Sequence, residues 1–356
     1  MKFLLNIFEK MIKPNFEEGG ILKVMKPLYE AIENFAFSPA AVTLKAPHGR
    51  DALDIKRYMT MVIIGLLPAT AAAFYFYGWR IIPMIIVSDC AGGAVEVAFA
   101  CIRKEPIAEG FLVTGLIFPL VLPPTLPLWM VAVGVMFGVF IGKELFGGTG
   151  RNVFNPAIVG RVFLALAYGK EMSMSWAPPG QGILGNMLSY VSPADLDGVT
   201  TATPLAIAKA GGDISVVNLF LGNIAGSIGE TSAVMIILGG IFLAVTKVSN
   251  WRTIVAVLGS AAVMTLSLGK PLGVNLFAGG LMFGAFFMAT DPVSSPITNA
   301  GKWAYGILIG AVTILIRNFG GYPEGVMFAI LLGNITAPIL DQIVFNIRFG
   351  RLKNEG

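Results

Sequence analysis

A cluster of three threonines within four positions, Thr200, Thr201 and Thr203, lies in the stretch DLDGVTTATPLAIAKAGG, residues 195–212, just after Asp195 and Asp197. A polar loop is the plainest reading of such a composition, but an aliphatic hydroxyl can also accept a covalent modification. A second resource is carboxylate within or beside apolar stretches: Asp89, Glu96, Glu144, Asp291 and Asp341. A carboxylate inside a bilayer costs at least about 2.5–3.5 kcal/mol, so it pairs with a cation or handles ions. Glu144, next to Lys143, and Asp291, in a turn-like segment, suit a boundary role, whereas Glu96 and Asp341 lie deeper.

Two further motifs offer binding surfaces. SDCAGGAVEVAFA sets Gly92, Gly93 and Glu96 on one side of an apolar segment, where paired glycines admit another helix or a flat ligand; helix packing is their usual use. FGGTGRNVFNPAIVGR, residues 146–161, supplies Asn152 and Asn155 as hydrogen-bonding groups, and Asn155 before Pro156 also suits a helix cap. Its Asn-Pro-Ala is similar to the half-helix caps of aquaporins, but a water channel carries the motif twice, and Phe328 stands 173 residues later. Two cysteines, Cys90 and Cys101, and one histidine, His48, are too few for a disulfide framework, a zinc site or a thiolate-held iron–sulfur cluster within this chain.

The elements that must position these groups are membrane helices. Of 356 residues 55% are hydrophobic and 13% charged, with a mean hydropathy of +0.76, which predicts an all-α polytopic membrane protein. MKFLLNIFEKMIK reads as an interfacial amphipathic helix. Ten candidate spans follow, near 58–78, 81–102, 110–124, 128–146, 152–168, 231–249, 252–268, 272–290, 303–317 and 323–344. Several fall short of the roughly 20 residues a straight crossing needs, so some must tilt or break. The expected division is an N-terminal segment 1–57, a first membrane repeat 58–168, an external loop 169–230, a second repeat 231–346 and a tail 347–356.

The two membrane halves are copies. Trp79-Arg80 recurs as Trp251-Arg252, Pro119 as Pro292, Pro123 as Pro296, Thr125 as Thr298, and FGG at 146–148 as FGG at 319–321, each 172 or 173 residues on. Five spans per copy, an odd number, predict two inverted repeats, with breaks at the paired prolines. With ten spans both termini share one side, and that side holds 19 of the 25 Lys and Arg residues, against five on the other and Arg161 within a span. Both termini are therefore expected in the cytoplasm. This bias also accounts for the net charge of +4, which calls for no nucleic-acid partner.

HGRDALDIKRYM, EGFLVTGLIFPLVLPPTLPLW, KELFGGTGRNVFNPA, FFMATDPVSSPITNAGKWAYGILIG and YPEGVMFAILLGNITAPILD together resemble the B subunit of the sodium-translocating NADH:quinone reductase, over nearly the whole chain. The sister family is the D subunit of the Rnf-type ion-translocating complex; the extension 1–57, with His48, Arg50 and Asp51, favours the quinone reductase. An autonomous solute channel or transporter, or a membrane scaffold, are the readings from other classes.

The resemblance implies a translocase subunit in the bacterial cytoplasmic membrane, working with subunits A, C, D, E and F. Electrons would pass from FMN through riboflavin to quinone, coupled to outward sodium movement. It implies that Asp197-Gly-Val-Thr200-Thr201-Ala202-Thr203 is a flavinylation motif, with Thr203 esterified to FMN by a flavin transferase; Thr201 stands where the family commonly has Gly. It also implies noncovalent riboflavin near Asn152 and Asn155, and a quinone pocket at Gly92, Gly93 and Glu96. Glu96, Asp291 and Asp341 would lie on a sodium path. The chain has no nicotinamide-binding fingerprint, so NADH oxidation and the iron–sulfur centres would belong to partner subunits.

Overall fold

The computed structural model describes residues 55–354, apart from 106, 108, 109, 181, 183 and 192–202. The predicted N-terminal amphipathic helix, His48, Arg50, Asp51, Asp195, Asp197, Thr200 and Thr201 lie outside the described residues.

Each of the ten predicted spans corresponds to a helix or a broken helix. The first half contains α1 (Ile55–Tyr77), α2 (Ile81–Arg103), α3 (Gly110–Leu120), α4 (Leu128–Gly142) and α5 (Pro156–Ala167). The long connection between the halves carries α6 (Gly169–Met174), α7 (Pro204–Lys209) and α8 (Val216–Leu221). The second half contains α9 (Ala233–Val245), α10 (Trp251–Ser267), the broken element α11 (Leu272–Phe277) with α12 (Leu281–Phe283), then α13 (Asn299–Phe319) and α14 (Val326–Asn354). Among the described residues five helices are long and apolar enough to cross a membrane and four more are shorter and apolar, the make-up of an all-α polytopic membrane protein.

The third span of each half is the broken one. In the first half α3 stops one residue after Pro119, and a turn through Pro123 follows. In the second half α12 runs into a single π turn, Gly284–Met288, that ends just before Asp291-Pro292. Prolines explain these stops, because each lacks an N–H and clashes with a preceding carbonyl. The other break, at Ala278–Gly280, lacks proline; Gly279 takes φ +68°, a conformation glycine adopts without strain.

Side chains satisfy the backbone at that break. Arg317, in the last turn of α13, donates to the carbonyls of Asn275 (2.5 Å) and Ala278 (3.0 Å), at the end of α11. Glu324 accepts from the N–H of Gly280 at 2.8 Å, just before α12, and pairs with Arg317 at 3.1 Å. The cation meets the negative end of one helix fragment and the anion the positive end of the other.

Helix packing follows the repeat. The most extensive contacts are α10 with α13, α4 with α5, α13 with α14, and α2 with both α3 and α4. Corresponding helices of the two copies also meet, α1 against α9 and α5 against α14. Lipid tails are as apolar as leucine, so packing, more than water expulsion, holds such helices together. Small residues make it possible: a Cβ on Gly239 of α9 would overlap the carbonyl oxygen of Gly65 in α1. Tyr77, Phe118, Phe283 and Tyr305 are fully buried at the centre.

Candidate functional site

Two cavities form between the repeats, at opposite ends of α5 and α9. The first, of about 760 Å³, is lined by Tyr58, Lys143, Asn152, Asn155, Ser249 and Asp291, with apolar residues of α3 and α9. Asn155 caps α5: its side-chain oxygen accepts from the N–H groups of Ala157 (3.1 Å) and Ile158 (3.4 Å), and Pro156 at the first helical position has no N–H to satisfy. Asn152 donates to the Phe154 carbonyl at 3.1 Å. Asp291 closes a tight turn, accepting from the Val293 N–H (3.3 Å) and the Ser294 hydroxyl (2.7 Å). Tyr58 of α1 donates to the Val248 carbonyl at 2.6 Å and so ties the two repeats together at the cavity rim.

The second cavity, of about 930 Å³, brings Thr203 together with Arg161, Trp176, Glu230, Tyr322 and Glu324. Thr203 is half-buried and caps α7, its hydroxyl oxygen facing the Ala206 N–H at 3.4 Å, a long contact that leaves it weakly engaged. Arg161 of α5 forms an ion pair with Glu230 at 3.0 Å, both side chains almost fully buried, and donates to Ser227 at 3.2 Å. Burial pushes the Glu230 carboxyl above its ordinary range, against the pull of Arg161. Glu324 is held from several sides, by Arg317 at 3.1 Å and by the N–H groups of Gly280 at 2.8 Å and Val326 at 3.2 Å. The cavity thus has a wall of charged residues, Arg161, Glu230 and Glu324, beside apolar and aromatic surface, and Nε of Arg161 has no hydrogen-bond partner.

A third cavity, of about 870 Å³, lies beside the glycine-rich turn and is lined by Glu96, Arg103, Glu105, Glu144, Gly148 and Arg151, among others. Glu96 pairs with Lys143 at 2.5 Å, each side chain 5% exposed. Glu144 is buried too, and pairs with Arg103 at 2.6 Å, not with its neighbour Lys143.

Several sequence-predicted residues therefore meet and others do not. Asn152, Asn155 and Asp291 share one cavity, Thr203 lines another, and Glu96 lines the third. Gly92 and Gly93 line none of these. A Cβ on Gly92 would come 3.1 Å from Val135 of α4, and one on Gly93 would come 3.2 Å from the Phe111 ring of α3, so both glycines pack helices. Asp341 stands apart, on α14, where it accepts from the N–H groups of Ile297 (2.7 Å) and Thr298 (2.9 Å) and from the Thr298 hydroxyl (2.5 Å). Among the described residues there is no cluster of three or more His, Cys, Asp or Glu side chains suited to a metal. Lys143, Arg161, Glu230 and Ser249 were not singled out by their local sequence; an arginine within a span was the signal available for Arg161.

Comparison with known proteins identifies the family of the chain. The sequence profile of the NQR2, RnfD, RnfE family matches residues 42–350. The chain is 39% identical to the Na(+)-translocating NADH-quinone reductase B subunit of Azotobacter vinelandii, across 98% of each chain. It is 37% identical to the protein of the same name from Klebsiella pneumoniae, across 99% of this chain and 100% of that one. The Pseudomonas aeruginosa protein of that name is 36% identical, across 98% of each. Similarity of this extent, end to end, makes the chain a member of the NQR2, RnfD, RnfE family.

Proposed function

We propose that this chain is the membrane subunit of a sodium-translocating NADH:quinone reductase in a bacterial cytoplasmic membrane, with both termini cytoplasmic. It would work with subunits A, C, D, E and F and be matured by a flavin transferase. Thr203 would hold FMN, which together with riboflavin would carry electrons to quinone, coupled to outward sodium movement. The observation that carries this reading is the placement of Thr203 on a cavity of about 930 Å³ in a chain 36–39% identical, end to end, to proteins named as such subunits.

The residues present suit a covalently tethered flavin. The Thr203 hydroxyl would be the ester-forming oxygen, held at the start of α7. Trp176 and Tyr322 offer aromatic surface that would suit a flat ring system, while Arg161 adds positive charge to the same cavity. The buried pair Arg161–Glu230 and the apolar wall of Leu205 and Met327 limit water. Flavin, when bound, supplies the electron-carrying chemistry that no side chain here can supply. Asn152 and Asn155 support the noncovalent riboflavin by lining the cavity at the other end of α5. Glu96 offers quinone or a cation a buried carboxylate, while Gly92 and Gly93, about a turn before it, let α4 and α3 pack closely on α2.

In-gel fluorescence of the denatured full-length chain, co-expressed with a flavin transferase, tests the reading. A phosphoester survives denaturation, so the band fluoresces; Thr203→Ala abolishes the signal and Thr201→Ala keeps it. Peptide mass spectrometry that finds FMN on Thr200 or Thr201, or on no residue, overturns it.

A further inference from the structure

Several carboxylates of the membrane helices find partners within the chain. Glu96 and Glu144 each pair with a cation, and Asp341 accepts from two backbone N–H groups and a hydroxyl. Asp89 of α2 has neither kind of partner. Its Oδ1 is buried without a hydrogen bond, and no charged group among the described residues lies beside it. The carboxylate presses on α3 so closely that a Cβ on Gly115 would overlap Oδ1. The interior of α3 offers no donor there, because its N–H groups are spent within the helix. Asp89 lies three residues from Gly92, the midpoint of α2, about 4.5 Å along the axis. Headgroups at either end of α2 are far from that depth, where an unpaired carboxylate costs at least about 2.5–3.5 kcal/mol.

The other flank of Asp89 is open. The exposed face of α2 is one row with a step of four residues, from Ile82 through Ile86, Cys90, Ala94 and Ala98 to Ile102. Rows of this step are ridges by which helices mesh. Cys90, Ala94 and Ala98 at its centre are small, so a second backbone can come close. Half-buried Asp89 stands at the edge of this row, next to Cys90 and one turn from Ile86. We propose that the row seats a membrane helix of another subunit, and that this helix brings a lysine or arginine to Asp89. Lipid tails cover an apolar row equally well, but they offer a carboxylate nothing. A basic side chain both donates hydrogen bonds and cancels the charge. The presence of other subunits rests on the proposed function above; the open row and the unpaired carboxylate do not.

Photo-crosslinking in the purified complex tests this. Benzoylphenylalanine in place of Ile86, a bulky residue of the row that is 55% exposed, attaches the chain under light to one other membrane subunit. The crosslinked peptide belongs to a membrane helix that contains Lys or Arg. Asp89→Asn keeps the shape against Gly115 but cannot form an ion pair, so that subunit leaves the complex about tenfold faster in a detergent wash. Changing the partner's basic residue to Gln gives the same loss, and the double variant adds nothing further. The full chain purified alone melts no lower with Asp89→Asn, since no contact within the chain is lost. Light-induced products with lipid alone overturn the docking row. A crosslinked subunit that Asp89→Asn leaves equally well retained overturns the ion pair. A lower melting temperature of the Asp89→Asn chain alone gives the carboxylate to the chain's own fold and overturns the proposal. Flavin fluorescence of the same gel band reports on Thr203 separately, so failure of the flavin assignment is distinguishable.

Discussion

The carboxylate of Asp341 in α14 accepts from the backbone N–H of Thr298 at 2.9 Å and from that of Ile297 at 2.7 Å, tying the last membrane helix to the start of α13. Thr298 in turn caps α13, its hydroxyl accepting from the Gly301 N–H at 3.1 Å. An ionisable group deep in the sequence of a span thus serves first as an anchor for a neighbouring helix end.

Asp341→Asn is expected to lower the stability of the chain by about 1–3 kcal/mol, because one acceptor oxygen becomes a donor facing a backbone N–H. Thermal unfolding in detergent measures this. A sodium-path role for Asp341 predicts instead an altered sodium dependence of turnover with unchanged melting.

Arg161→Met should be more severe, on the order of 3–5 kcal/mol, since it leaves Glu230 buried without its cation. Arg161→Met/Glu230→Gln should regain part of that loss. Yield of folded protein and its melting temperature report both, and an Arg161→Met variant that melts with the parent would show that solvent reaches the pair.

Gly239→Ala should block the approach of α9 to α1, because the added carbon overlaps the Gly65 carbonyl. Size-exclusion chromatography should show aggregated or absent protein. Gly93→Ala adds a carbon 3.2 Å from the edge of a movable phenyl ring, so assembly should survive; Gly93→Leu should not assemble. An assembled Gly93→Leu complex with a raised Michaelis constant for quinone would restore the quinone reading of that glycine.

Topology gives a fourth test. Reporters fused at Gly211 and at Gly356 should lie on opposite sides of the membrane, as the bias of Lys and Arg predicts. The same side for both would remove the inverted arrangement of five plus five spans.

Hydropathy and the spaced prolines make the ten elements legible, because each apolar stretch must hydrogen-bond internally wherever lipid surrounds it. The Asn155 cap is legible too, from Asn-Pro alone. Ion pairing is not. Lys143 and Glu144 are neighbours in sequence, but adjacent residues near a helix end point in different directions. Lys143 reaches Glu96, 47 residues away, and Glu144 reaches Arg103, 41 away. Arg161 and Glu230, 69 apart, meet only because the connection between the halves returns to α5. The Gly92–Gly93 face shows the opposite limit: small residues signal a close approach without naming what approaches, and here it is Val135 and Phe111.

The seam at Gly65 and Gly239 bears on how such a chain could have arisen. The two glycines occupy matching helices of the two copies, 174 positions apart, nearly the spacing of the repeated motifs. A contact between matching helices is one that a helix face makes with its own copy across a two-fold axis. A half-length ancestor able to insert in both orientations would therefore have carried both sides of this seam on a single helix, and fusion of two gene copies would have joined halves that already fitted.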